Sequence, residues 1–126
     1  MSSKSQLVYK DLANAVDFLS DVISQPYNVY IRTAALHSFE ICFELAWKYL
    51  KAALSEIGLQ ANSPRQSFCE SGKAQLINDV ENWLEFIELR DLILHTYKSE
   101  LADEVYSIIT SSFLPACKNL LETAVI

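Results

Sequence analysis

Within the stretch LRDLILHTYKSE, residues 89–100, Arg90, His95 and Tyr97 fall inside eight consecutive positions. A guanidinium holds phosphate oxygens through paired N–H donors and stabilises charge that develops on them. An imidazole moves protons near neutral pH. A phenol adds a polar tip on an aromatic ring. The alternative is structural: an arginine on an apolar stripe is usually an ion-pair partner, here of Glu40 or Glu44, and a histidine at a helix end complements the helix dipole.

An ideal helical wheel sharpens the question. With Trp83 at the origin, Leu94 falls at about 20°, Ile87 at about 40° and Arg90 at about −20°, so Arg90 sits in the apolar stripe. A buried guanidinium needs an acid, backbone oxygens or a ligand. His95 lies about 140° away from Arg90 and roughly 7.5 Å along the axis, while Tyr97 returns to about −40°, near Arg90. One straight helix cannot aim Arg90 and His95 at one small group. Either the helix ends between them, or two copies of the chain supply them across a twofold axis. Asp91, one turn before His95, is placed to fix its tautomer and favour the imidazolium.

The elements that must position this segment are helical. Val8, Leu12, Ala15, Val16, Leu19, Val22 and Ile23 recur at helical spacing over 5–24, and Pro26 follows. A longer helix over 28–57 carries apolar residues on a wide face, which marks it as central, and Gly58 suits its C-terminal cap. Ser63-Pro64 opens a short helix ending near Ser71-Gly72. Asn78, with Glu81 three residues on, offers a capping box for the helix bearing Arg90. A last helix spans 99–123, kinked or restarted by Pro115 after Ser111-Ser112. The expected architecture is a single all-α domain over 1–126, an up-and-down four-helix bundle with one additional short helix. Phe39, Phe43 and Trp47 are expected in its core, and His37 as a structural hydrogen-bonding group.

Composition narrows the function. Hydrophobic residues make up 51% of the 126-residue chain, with two glycines and three prolines, which excludes disorder and turn-rich β folds. The net charge of −6 opposes a broad nucleic-acid face but leaves room for a local phosphate site. Residues 78–104 hold eight acids against Arg90 and Lys98, so they carry all of that charge and suit a basic partner. Cys42, Cys69 and Cys117 form no CxxC pair, and the histidines, His37 and His95, have no metal-ligand spacing. No metal or cofactor is expected. MSSKSQLVYK has no apolar signal core and no run is suited to a bilayer, so a cytoplasmic location is expected.

The arginine, the histidine five residues on and the tyrosine two beyond it resemble the signature of the HEPN superfamily. The form with this tyrosine marks HEPN proteins paired with minimal nucleotidyltransferases, also described as nucleotidyltransferase substrate-binding proteins. The second helix resembles the same family through Phe39-Glu40, Phe43-Glu44 and Trp47-Lys48. Ser63-Pro64-Arg65 and Glu81-Asn82-Trp83 add to the likeness, which spans roughly 7–110.

The resemblance implies a four-helix bundle that forms homodimers, with the arginine–histidine segments meeting near the interface. It further implies a metal-independent endoribonuclease, the toxin of a toxin–antitoxin pair, with tRNA among its substrates and the paired nucleotidyltransferase as antitoxin. Arg90 and His95 would be catalytic, Asp91 supporting, and Tyr97 the site where the partner attaches AMP. Asp91 departs from the asparagine common at its position and adds a negative charge beside the phosphate. The alternative is a noncatalytic subunit that presents substrate to a nucleotidyltransferase or regulates it.

Overall fold

The computed structural model describes residues 3–124, and all regular structure among them is helical. Helix α1, Lys4–Ser24, starts from a reciprocal cap between Ser3 and Gln6 and buries Leu12, Val16, Leu19 and Val22. Asn28 caps α2, Val29–Glu56, through its side-chain oxygen and the amide of Ile31. Helix α1 packs along α2 over most of its length. The two run antiparallel: Ser5 at the start of α1 hydrogen-bonds Glu56 at the end of α2. Gly58 takes the left-handed conformation, φ 85°, while the amide of Leu59 reaches back to the carbonyl of Leu54.

Helix α3, Pro64–Lys73, opens at Ser63 as the sequence suggests but runs through Gly72 rather than stopping there. Gly72 serves close approach instead. A Cβ on it would collide with Cγ2 of Val80, the first residue of α4, Val80–Leu92. Gln75, not a glycine, takes the left-handed turn beyond α3, at φ 63°. The residue at the N-cap of α4 is Asp79, not Asn78, and no side chain caps this helix. The expected capping box does not form.

A 3₁₀ turn, Ile93–His95, follows α4 directly, and α5 begins at Ser99. Helix α5, Ser99–Ile108, a π-helical turn, Ile109–Phe113, and α6, Leu114–Ala124, form one continuous helical run. Pro115 has no amide hydrogen and crowds the carbonyl four residues back. The wider turn just before it, where the amide of Leu114 bonds the carbonyl of Ile109, accommodates the proline without a restart. The chain is thus four long helical segments and the short α3, as expected.

The elements converge on an aromatic cluster. Phe39 and Phe43 of α2, Phe68 of α3, Trp83 and Phe86 of α4, and Phe113 of the π turn are all buried. Phe68 stacks on Trp83 at 5.2 Å, and Phe113 meets Phe39 edge-on at 4.6 Å. Trp47 lies at the rim, its indole donating to Glu44. No described helix is long and apolar enough to cross a membrane.

Candidate functional site

Trp83, Phe86 and Leu89 fix α4 against the core and so set the direction of its last turn, where Arg90 stands. Arg90 is half-buried, at 33% exposure, with its guanidinium carbon 5.0 Å from the Phe43 ring centre. Nη1 lies 3.6 Å from Glu44 Oε1, and Nη2 lies 3.6 Å from Asp91 Oδ1. Glu44 is therefore the partner, of the two acids the sequence offered. It also accepts from the Trp47 indole at 3.1 Å and lies 3.9 Å from Lys48. Arg90 is held on three sides: by an aromatic face, by a carboxylate braced on α2, and by its own neighbour in sequence.

The helix ends two residues later, and this changes where the rest of the segment points. In the tighter turn at Ile93–His95, Leu94 is 83% exposed rather than on the apolar stripe. His95 is exposed, and it makes no side-chain hydrogen bond or ion pair among the described residues. The expected Asp91–His95 contact is absent, because Asp91 turns to Arg90. Thr96 closes the turn with its hydroxyl on the Ile93 carbonyl at 2.7 Å.

Tyr97 is 78% exposed and lines a groove of about 280 Å³ against α2, together with Arg32, Leu36, His37, Glu40 and Ile93. Arg90 instead packs at Phe43 and Glu44. Along α2 the residues of the two sites are offset by roughly 5–18 Å, so Tyr97 stands against a different stretch of α2 from Arg90, not beside it as an unbroken helix would have placed it. His37 is exposed, with no side-chain hydrogen bond among the described residues, so it is not the structural group expected.

One functional neighbour escaped the sequence reading. Arg32, 12% exposed, donates from Nη1 to Asp103 at 3.1 Å and to the Ser99 hydroxyl at 3.1 Å. Tyr27 donates its hydroxyl to the same Asp103 oxygen. These bonds pin the first turn of α5 to α2 and so fix the exit of the 93–98 turn. Tyr27 and Arg32 together hold the Asp103 carboxyl below the usual aspartate range. The partner of Arg32 lies 71 residues on, so no local pattern could have identified the pair.

Other features do not compete. A larger hollow of about 740 Å³, lined by Cys69, Lys73 and Asp79 among others, lies at the α3–α4 turn, roughly 15 Å along α4 from Arg90. Burial pushes the Cys42 thiol up to about 12 and Cys117 well above its ordinary value, so both stay protonated and unreactive. No group of three potential metal ligands forms among the described residues.

An all-helical bundle with an arginine–histidine segment at the exit of its fourth helix defines the class. Residues 7–125 match the family described as nucleotidyltransferase substrate binding protein like, and the chain belongs to it, as the HEPN-type motifs on α2 and α4 imply. Among curated proteins, a Haemophilus influenzae protein named probable ribonuclease HepT is 29% identical over an alignment of 90 positions, with 64% of this chain and 62% of that protein covered. A Thermus thermophilus protein of known crystal structure shares 28% identity at a TM-score of 0.76, over 89% of this chain and 93% of its own. A Haemophilus influenzae structure, described as revealing the fold of a substrate binding domain of a nucleotidyltransferase, superposes with TM-score 0.66 and 28% identity over 94% of both chains.

Proposed function

We propose that this chain is a metal-independent endoribonuclease, the toxin of a pair in which a minimal nucleotidyltransferase is the antitoxin, and that Arg90 and His95 carry its reaction. The observation that carries this reading is the contrast between them. Arg90 is braced by Phe43, Glu44 and Asp91, while His95, five residues on, keeps an exposed imidazole with no partner among the described residues. A fixed cation and an unspent proton carrier are what phosphodiester transfer requires.

In the proposed reaction His95 takes the proton of a ribose 2′-hydroxyl. The 2′-oxygen attacks phosphorus, the bond from phosphorus to the 5′-oxygen breaks, and that oxygen leaves with a proton from water or from the partner subunit's His95. Arg90 neutralises charge on the non-bridging oxygens. Asp91 supports the guanidinium from one side. A homodimer, which the family resemblance implies, would bring two such segments together. For silencing, the Tyr97 phenol oxygen attacks the α-phosphorus of ATP on the nucleotidyltransferase. Pyrophosphate leaves, the phenol proton goes to solvent, and AMP stays on Tyr97, whose exposure supports that access.

The second reading is a noncatalytic subunit that presents substrate to a nucleotidyltransferase. It is favoured by the exposed acids Glu81, Glu85 and Glu88 on α4, which repel RNA and attract a basic protein. Incubating purified protein with RNA in excess EDTA decides between them. Cleavage by wild type, lost in Arg90→Ala and His95→Ala, is expected. Equal inertness of all three proteins would transfer the function to the second reading.

A further inference from the structure

The groove beside Tyr97 combines three side chains with unspent hydrogen-bonding capacity in a region where neighbouring charged groups are mostly paired. Arg32, Glu44, Arg90, Asp91 and Asp103 all have partners, whereas Glu40, His37 and Tyr97 have none among the described residues. Arg32 also lines the groove; its hydrogen bonds all leave from Nη1, so Nε and Nη2 remain available. We propose that this groove is a base-reading subsite, resting on the ribonuclease reading above, in which Glu40 selects an unpaired guanine next to the cleavage segment.

The route follows from charge. On the outward face of α4, Glu81, Glu85 and Glu88 repel a strand leaving Arg90, whereas α2 offers His37 and Arg32. A carboxylate within that route opposes phosphate, so Glu40 fits a base rather than the backbone. Guanine alone presents two adjacent N–H donors on its pairing edge, which a carboxylate accepts side by side. Cytosine and adenine offer one amino group beside a ring acceptor, and uracil one N–H between two carbonyls; each sets a lone pair against the carboxylate. His37 is one turn before Glu40, about 5–6 Å away at Cβ, which suits a donor to guanine O6 while Glu40 holds the adjacent N–H pair. The exposed ring of Tyr97 supplies a stacking face, as single-stranded RNA sites commonly do. About 280 Å³ admits one splayed-out base but not a duplex.

The test is titration of the full chain with 5′-GMP, 5′-AMP, 5′-CMP and 5′-UMP, followed by amide chemical shifts, with RNA cleavage scored separately. GMP should bind about 10-fold tighter than the other three, the discrimination of a good bidentate base contact, with shifts at His37, Glu40 and Tyr97. Glu40→Gln should erase that preference while the folded spectrum is kept, and Glu40→Asp should recover part of it. Cleavage, if present, should fall on one side of guanosine and lose that bias in Glu40→Gln. Equal affinity for all four nucleotides, shifts confined elsewhere, or unbiased cleavage would overturn the subsite. GMP preference without any cleavage would uphold the subsite and overturn the ribonuclease reading instead.

Discussion

Replacing Asp91 by asparagine deletes one negative charge beside Arg90 while keeping the side chain's shape and its acceptor oxygen. The Asp91 carboxylate lies 3.6 Å from Arg90 Nη2 and is 68% exposed. Its pairing therefore contributes at most about 1 kcal/mol to stability, a shift of a few degrees in Tm. A phosphate bound on the open side of the guanidinium, through charge-assisted bonds of about 2.8 Å, stands roughly 7 Å from that carboxylate. Repulsion at that distance in water is about 0.6 kcal/mol, or nearly threefold in affinity. Asp91→Asn should then bind a short RNA about threefold tighter at low ionic strength, and less than twofold tighter near 0.15 M salt, where the Debye length is about 8 Å. Fluorescence anisotropy at two salt concentrations reads this directly. The effect should vanish in an Arg90→Ala background, since the two changes share one ligand. Unchanged or weaker binding by Asp91→Asn at low salt, with Tm preserved, would mean that Arg90 does not receive the phosphate.

Gly72→Ala should destabilise the protein: overpacking against Val80 costs about 1–3 kcal/mol and outweighs the roughly 1 kcal/mol gained in helix propensity. Chemical denaturation should show the loss, and Val80→Ala should relieve part of it; a stabilised Gly72→Ala would contradict the close contact. Because Tyr27 and Arg32 hold the Asp103 carboxyl below its ordinary 3.8, its contribution to stability is complete above that value and is lost as pH falls through the lowered one. Acid unfolding of Asp103→Asn should accordingly show a shallower dependence on pH below 3.8 than wild type, and an unchanged slope would remove the linkage. Co-expression with the proposed partner nucleotidyltransferase should add one or more AMP groups to the chain by intact mass, and Tyr97→Phe should abolish the increment; equal modification of both proteins would put the acceptor elsewhere.

The helix spacings of the sequence carried the architecture, because apolar periodicity and the Ser63 cap are local signals. The same spacing misled beyond Leu92. A wheel continues a helix indefinitely, whereas the turn at Ile93–His95 exposes Leu94 and separates Tyr97 from Arg90. The role of Gly72 was not legible, because its close approach to Val80 is a tertiary contact. An acid on the central helix was legible as the partner of Arg90, but the choice between Glu40 and Glu44 was made only by the packing. Asp103 was not, since α5 reaches Arg32 only after the chain has reversed. His37 was expected as a structural hydrogen-bonding group, a reading that assumed burial; its exposure in the groove follows from tertiary packing.

The chemistry of the cut tests the proposed role of His95 most directly. An RNA oligonucleotide and its counterpart with a single 2′-deoxyribose at the scissile position should be incubated with the protein in EDTA, and the fragment masses determined. If His95 withdraws the 2′-hydroxyl proton, the RNA yields a 2′,3′-cyclic phosphate and a 5′-hydroxyl, and the deoxy substrate stays intact. Fragments bearing 5′-phosphates, or cleavage of the deoxy substrate at the same bond, would contradict the role assigned to His95.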